Sequence, residues 1–179
     1  MKFRSFFAVC AALLVAAFPV HGAVDYFLKL PDIPGESANE GHKDEIEILS
    51  FSFGATQTGG TTGGAGAGKV IFSDISFTKP VDKSTPLLYL TCAQGKHIPT
   101  AVLYGRKAGE RNTDYLVITL SDVLISSVQT GGSAGDRPTE SISLNYTKIE
   151  FSYARQKSDG SYDAPVKTGW DIKQNIEVR

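Results

Sequence analysis

Sulfur is scarce in this chain of 179 residues, which has two cysteines and one methionine, and neither sign of charge is in excess: 18 lysines and arginines face 19 aspartates and glutamates. A formal net charge of −1 excludes the basic surplus with which a nonspecific nucleic-acid binder neutralises phosphates. Long apolar runs are missing too. The longest, Phe6 to Phe18, has about 13 residues, and a membrane span needs roughly 20. What is present is an ordinary globular composition, 41% hydrophobic and 21% charged, enough for one domain. Eighteen glycines and eight prolines argue for many turns and against a helical bundle.

The apolar run follows Lys2 and Arg4 and ends at Pro19, the form of a secretory signal peptide. Val20-His21-Gly22 places valine at −3 and glycine at −1, so cleavage is expected after Gly22, giving a leader of residues 1–22 and a domain of residues 23–179. Removing Lys2 and Arg4 from the 18 bases leaves 16 against 19 acids, a net charge near −3. Cys92 becomes the only cysteine, and no internal disulfide can form. A mature chain of about 157 residues buries roughly 70% of its unfolded surface, so one core suffices.

The dominant period is two, the mark of strands. Val24, Tyr26, Leu28 and Leu30 alternate with Asp25, Phe27 and Lys29 before Pro31 and Pro34 end the segment. Ile46 and Ile48 are even-numbered, whereas Leu49, Phe51 and Phe53 are odd, so the faces exchange near Ile48–Leu49. The same exchange separates Ile142, Leu144 and Tyr146 from Ile149, Phe151 and Tyr153. A slip of one residue inverts a strand, and a bulge there turns the corner of a small barrel or orthogonal sandwich. Further strands are expected at residues 70–78, 100–104, 114–124 and 170–178. One helix interrupts them: Thr85 is expected as N-cap, Pro86 at the first helical position and Gly95 as the left-handed stop. Leu87, Leu88, Leu90 and Cys92 fill its interior. The expected class is mainly β, a single-domain small β-barrel of two packed sheets with one short α-helix.

The motifs that could carry chemistry fail their context. Gly63 to Lys69 approaches a phosphate-binding loop, but Val70 replaces the Ser or Thr that would hold magnesium, and the following residues alternate as a strand. Cys92 falls in the last turn of its helix, where the dipole disfavours a thiolate; it reads as a packed core residue and His97 as a turn residue. His42, beside Asp44 and Glu45, reads as one of several solvated loop charges, and two histidines without cysteine or His-x-His spacing make a poor transition-metal site. Glu45 and Glu47 share a strand face with Cα atoms about 6.6 Å apart, a spacing like that of glycosidase carboxylates, yet such pairs normally come from different elements. No serine lies in a Gly-x-Ser-x-Gly elbow. No enzyme is expected, no cofactor and no metal.

Other residues carry a resemblance. Asp25-Tyr26-Phe27-Leu28-Lys29, Ile33-Pro34-Gly35-Glu36-Ser37 and Phe51-Ser52-Phe53-Gly54 are joined by Ser76-Phe77-Thr78-Lys79, Asp82-Lys83-Ser84-Thr85-Pro86, Gly95-Lys96-His97 and Arg106-Lys107-Ala108-Gly109. Ser126-Ser127, Thr130-Gly131-Gly132-Ser133, Pro138-Thr139-Glu140 and Gly169-Trp170-Asp171-Ile172 complete them. Together, from Ala23 to Arg179, the chain resembles the Hcp family, the haemolysin-coregulated proteins of bacterial type VI secretion. The resemblance implies a β-barrel with a short helix, homo-hexameric rings stacked head to tail as the inner tube of a contractile machine, and a spike protein, a sheath and small effectors as partners. It implies no nucleic acid, no cofactor and no catalytic residues.

A ring of this kind needs two different patches per subunit and a polar face toward its lumen. Ser50 and Ser52, opposite Phe51 and Phe53, are the lumen-facing candidates. The glycine loop from Gly54 to Gly68, with Gly59, Gly60, Gly63, Gly64, Gly66 and Gly68, is the candidate for reaching an adjacent ring, since glycine allows close backbone approach. The leader departs from the family, whose members are typically made without one. An exported protein, periplasmic or secreted to the medium, is therefore expected, and an exported ring protein that binds a small ligand or peptide without a sheath is the alternative.

Overall fold

The computed structural model describes residues 24–59, 68–107 and 113–178. The expected leader, residues 1–22, and Gly60, Gly63, Gly64 and Gly66 lie outside the described residues.

Alternation builds most of the molecule. β1 (Val24–Lys29) pairs antiparallel with β2 (Ile46–Ile48) and β7 (His97–Lys107). Beyond β7 lie the long β8 (Asp114–Gly131), then β10 (Lys148–Tyr153), β11 (Val166–Asp171) and β12 (Ile176–Val178). The second half of β8 turns away to pair with β9 (Thr139–Asn145), which continues to β6 (Ile75–Pro80) and β3 (Ser50–Ser52). β8 changes layers where Asp122 adopts φ 51° and a register shift falls between Ile125 and Ser127. These ten strands form one sheet folded on itself, and β4 (Ala55–Gln57) with β5 (Val70–Phe72) forms a separate two-stranded ribbon.

The mainly β class with one short helix is what the alternation expects, but the sheet does not close as an unbroken barrel. The ladder is interrupted at Leu49: β2 ends on β1, and β3 begins on β6. The Leu49 N–H bridges across, donating to the Thr78 carbonyl at 2.8 Å. Ile46 and Ile48 face inward, Leu49 and Ser50 both face out, and Phe51 and Phe53 are half-buried. Leu49 therefore does not share the inner face with Phe51 and Phe53, because the slip consumes it. Leu28, Ile46, Ile75, Phe77, Leu103 and Ile118 join residues of both layers in one buried core.

Three local expectations need correction. The second exchange of faces is a corner between two strands: Tyr146 and Thr147 turn the chain from β9 to β10, and Thr147 N–H is anchored to the Ser121 carbonyl at 3.1 Å. The stretch 170–178 is a hairpin, with Asn175 at φ 57° in the turn between β11 and β12. In the helix α1 (Thr85–Gln94) the N-cap position falls on Ser84, not Thr85, with no side-chain capping bond, and the helix stops at Gly95 with φ 58° as expected. The Thr85 hydroxyl is engaged elsewhere, donating to Glu140 at 2.8 Å and accepting the Asp82 N–H at 3.2 Å. Leu88 and Thr91 form the buried face of α1, while Leu87, Tyr89 and Leu90 are exposed.

Candidate functional site

Ser50 and Ser52 are both exposed, alternating with the half-buried Phe51. The alternation of β3 thus presents a hydroxyl face to solvent while Phe51 and Phe53 join an aromatic row. Tyr26 meets Phe51 edge-on with centroids 5.1 Å apart, and Phe53 stacks on Phe151 at 5.7 Å.

The glycine loop is carried on a ribbon. β4 and β5 pair Ala55 with Phe72, Thr56 with Ile71 and Gln57 with Val70. All of β4 and Ile71 are exposed, while Phe72 is half-buried and packs against the core, so one face of the ribbon is anchored and the other faces outward. At its far end Gly59 and Gly68 face each other so closely that a Cβ on Gly68 would lie 2.3 Å from the Gly59 nitrogen. Only glycine permits that approach. Val70 onward is a strand, as the sequence suggests, so the helix that a phosphate-binding loop would open is absent there.

The catalytic candidates are not brought together. Glu45 turns to His42 and Lys29, whereas Glu47 is exposed on β2. Cys92 is half-buried and packs against the core. His97 turns to Asp122, its Nδ1 2.7 Å from Oδ1, and Lys173 donates to the other oxygen at 2.8 Å. These partners, Lys173 first and His97 second, hold the exposed Asp122 carboxyl below its ordinary range. Among the described residues no group of three or more histidine, cysteine, aspartate and glutamate side chains could hold a metal ion.

His42 departs most from its sequence reading: it is 2% exposed, not a solvated loop residue. Its ring stacks on Phe27 with centroids 4.4 Å apart and lies 4.7 Å from Tyr104. Nδ1 lies 2.8 Å from Glu45 Oε2 and Nε2 2.9 Å from Asp114 Oδ1. Asp114 also accepts from Arg106 Nε at 2.9 Å, and Arg106 Nη1 donates to Asn39 at 2.9 Å. The cluster straps the loop of residues 30–45 to β7 and the start of β8. The Tyr104 hydroxyl, desolvated and facing Glu45 and Asp114, is pushed above its ordinary range. Asp114 stands 72 residues from His42, so no local pattern discloses the partner.

A second buried cluster fixes α1 to the sheet. Lys79 and Glu140, directly opposite on β6 and β9, are joined at 2.5 Å, and Lys79 also donates to Asp82 at 2.8 Å. Asp82 in turn accepts the Ser84 N–H at 2.9 Å and the Ser84 hydroxyl at 2.5 Å, which organises the turn that starts the helix. Both clusters are saturated with partners and face the interior. They organise loops and leave interaction with other chains to the exposed faces.

A family model for the type VI secretion system effector Hcp matches residues 27–153. The protein Hcp1 of Pseudomonas aeruginosa is 51% identical over 161 residues, covering 87% of this chain and 99% of that protein. The major exported protein of the same organism is 23% identical over 141 residues, covering 74% of this chain and 82% of that one. Among solved structures, Hcp1 from Salmonella typhimurium superposes with a TM-score of 0.74 at 34% identity, covering 87% of this chain and 99% of its own. A structure of a type six secretion system protein superposes with a TM-score of 0.82 at 28% identity, covering 87% and 100%.

Proposed function

The chain belongs to the Hcp family of type VI secretion proteins, and from that premise we propose that it is a structural subunit of the inner tube. Six copies close into a ring, rings stack, small effectors ride in the lumen, and the subunit is itself secreted. A spike protein at the tube's tip and the surrounding sheath are its partners. The observation that carries this reading is the β4–β5 ribbon, a two-stranded sheet separate from the main one, held to the core by Phe72, with Ile71 exposed and Gly59 and Gly68 in close approach at its far end. Phe72 covers one face of the ribbon, which leaves the other, with exposed Thr56 opposite exposed Ile71, for a second surface, here the neighbouring ring. Ser50 and Ser52 line the lumen.

Replacing residues 58–69 by a two-residue turn leaves rings intact and abolishes stacking in electron micrographs. Filaments formed by that variant would overturn the assignment. The role is structural and not enzymatic, since Glu45, the more buried of the two candidate carboxylates, is already engaged by His42 and Lys29.

The leader supports a second reading, an exported ring protein that holds a small ligand or peptide away from any sheath. Cleavage after Gly22 yields a chain beginning at Ala23. Intact-mass measurement with cell fractionation separates the two readings: the mature chain in the periplasm favours the second, an uncleaved chain in the cytoplasm the first. Among the described residues no helix is long and apolar enough to cross a membrane.

A further inference from the structure

Apolar side chains left exposed gather at both ends of the strand order β12-β11-β10-β8-β7-β1-β2. At one end Leu49, 57% exposed, and Val24, 37% exposed, border an open notch of about 460 Å³ against β1 and β2. The notch follows from the slip at Leu49. β2 pairs with β1 only as far as Tyr26, opposite Ile48, so Val24 and Asp25 have β7 on one side and an open flank on the other. Asp25 and Glu47 make the lining acidic. At the opposite end, Val166 is 73% and Ile176 48% exposed on the β11–β12 hairpin, and β12 is the terminal strand of the ladder.

Single exposed apolar residues are unremarkable, but these occupy opposite ends of one sheet and differ in charge. On the hairpin, Lys173 is held by Asp122, Asp171 accepts the Gln174 N–H, and Glu177 has a partner, while Glu150 on the neighbouring β10 is held by Lys148. Lys167, exposed on β11, is then the charge that the hairpin offers to another chain. A ring closes through heterologous contacts, in which one patch meets a different patch on the next subunit, and a terminal strand is a ready template for such a contact.

We propose that the β11–β12 hairpin of one copy seats in the β1–β2 notch of the next, with Ile176 covering Leu49 and with Lys167, on the same face of the hairpin as Ile176, facing Asp25 and Glu47. This rests on the ring reading above and names the two surfaces that close it.

The test uses the mature chain in sedimentation velocity at low and high salt, with circular dichroism to establish folding. Leu49→Glu and Ile176→Glu each weaken association at least tenfold. Asp25→Lys with Glu47→Lys, and separately Lys167→Glu, weaken it at low salt, and the three charge reversals combined restore rings, a rescue that misfolding cannot produce. Rings of unchanged stability in every folded variant, or a combined variant that does not recover, overturn the interface while leaving the ring reading standing. A wild-type chain that stays monomeric at every concentration removes both.

Discussion

Lys79 is a fully buried charge whose loss the fold tolerates badly. Its ammonium has no solvent access, as has the Glu140 carboxylate 2.5 Å away, and Asp82 at 2.8 Å is nearly as enclosed. The cluster holds one cation between two anions. Lys79→Met keeps the chain length but leaves two carboxylates adjacent in a dry corner, and breaking a buried pair in this way costs about 3–5 kcal/mol. Glu140→Gln behaves differently, because Lys79 keeps Asp82, an amide oxygen at the Oε1 position still accepts from Lys79 and Thr85, and the amide nitrogen at the Oε2 position donates to the Thr130 hydroxyl, so its cost is about 1–3 kcal/mol. Adding Glu140→Leu to Lys79→Met removes one of the stranded anions, so the double variant is more stable than Lys79→Met alone. In a domain of this size about 3–5 kcal/mol lowers Tm by roughly 6–20 °C. Urea unfolding of the single and double variants at one protein concentration reads the ordering, provided m is unchanged. Glu140→Gln proving as damaging as Lys79→Met would refute the reasoning, since the ammonium would then not be what holds the two carboxylates.

The other predictions concern a phenol and two glycines. Burial, and then the nearby Asp74, pushes the Tyr146 hydroxyl up to about 12. Its neutral form therefore stabilises the fold fully below the ordinary value of about 10, and that contribution is lost as pH rises toward 12. Tyr146→Phe flattens the alkaline stability profile, and a 295 nm titration that shows every tyrosine ionising near 10 would contradict this. A Cβ on Gly41 would lie 2.4 Å from Arg106 Nη1, so Gly41→Ala displaces the guanidinium from Asp114 and Asn39. It lowers stability by about 1–3 kcal/mol and speeds amide exchange in residues 30–45; unchanged exchange there would detach Arg106 from the strap. Gly68→Val splays the β4–β5 ribbon against the Gly59 backbone, changing domain stability by no more than about 0.5 kcal/mol while abolishing ring stacking in electron micrographs.

The parts of the fold legible in the sequence are those that depend on period alone. Alternation locates β1, the start of β8 and the two changes of face, and Pro86 with Gly95 brackets α1. What escapes is set by partners distant in the chain. Thr85 resembles an N-cap until Glu140, 55 residues away, takes its hydroxyl. His42 resembles a solvated loop residue until Phe27, Tyr104 and Asp114 close around it. The glycine loop is legible as a loop, with a strand from Val70 after it, but not as a hairpin, because Ala55–Gln57 is short and carries too little alternation to announce itself as the partner of Val70–Phe72.

The irregularities follow from the same physics as the regular strands. A strand whose inner face is full can turn a corner only by spending a residue outward, and at the first corner that residue is Leu49. A leucine on the outside of a bulge costs little in an isolated subunit, where such exposure is common, and it opens the flank of β1 that β2 would otherwise cover. At the far end of the sheet the turn at Asn175 returns β12 as an uncovered terminal strand. Each of these places leaves an apolar side chain, Leu49 or Ile176, exposed on the single subunit. If these were mere tolerances, Leu49→Glu and Ile176→Glu would be silent in both stability and association. If the two ends cover each other in a ring, both substitutions leave the subunit's fold intact and act only on assembly, a split that sedimentation and circular dichroism read separately.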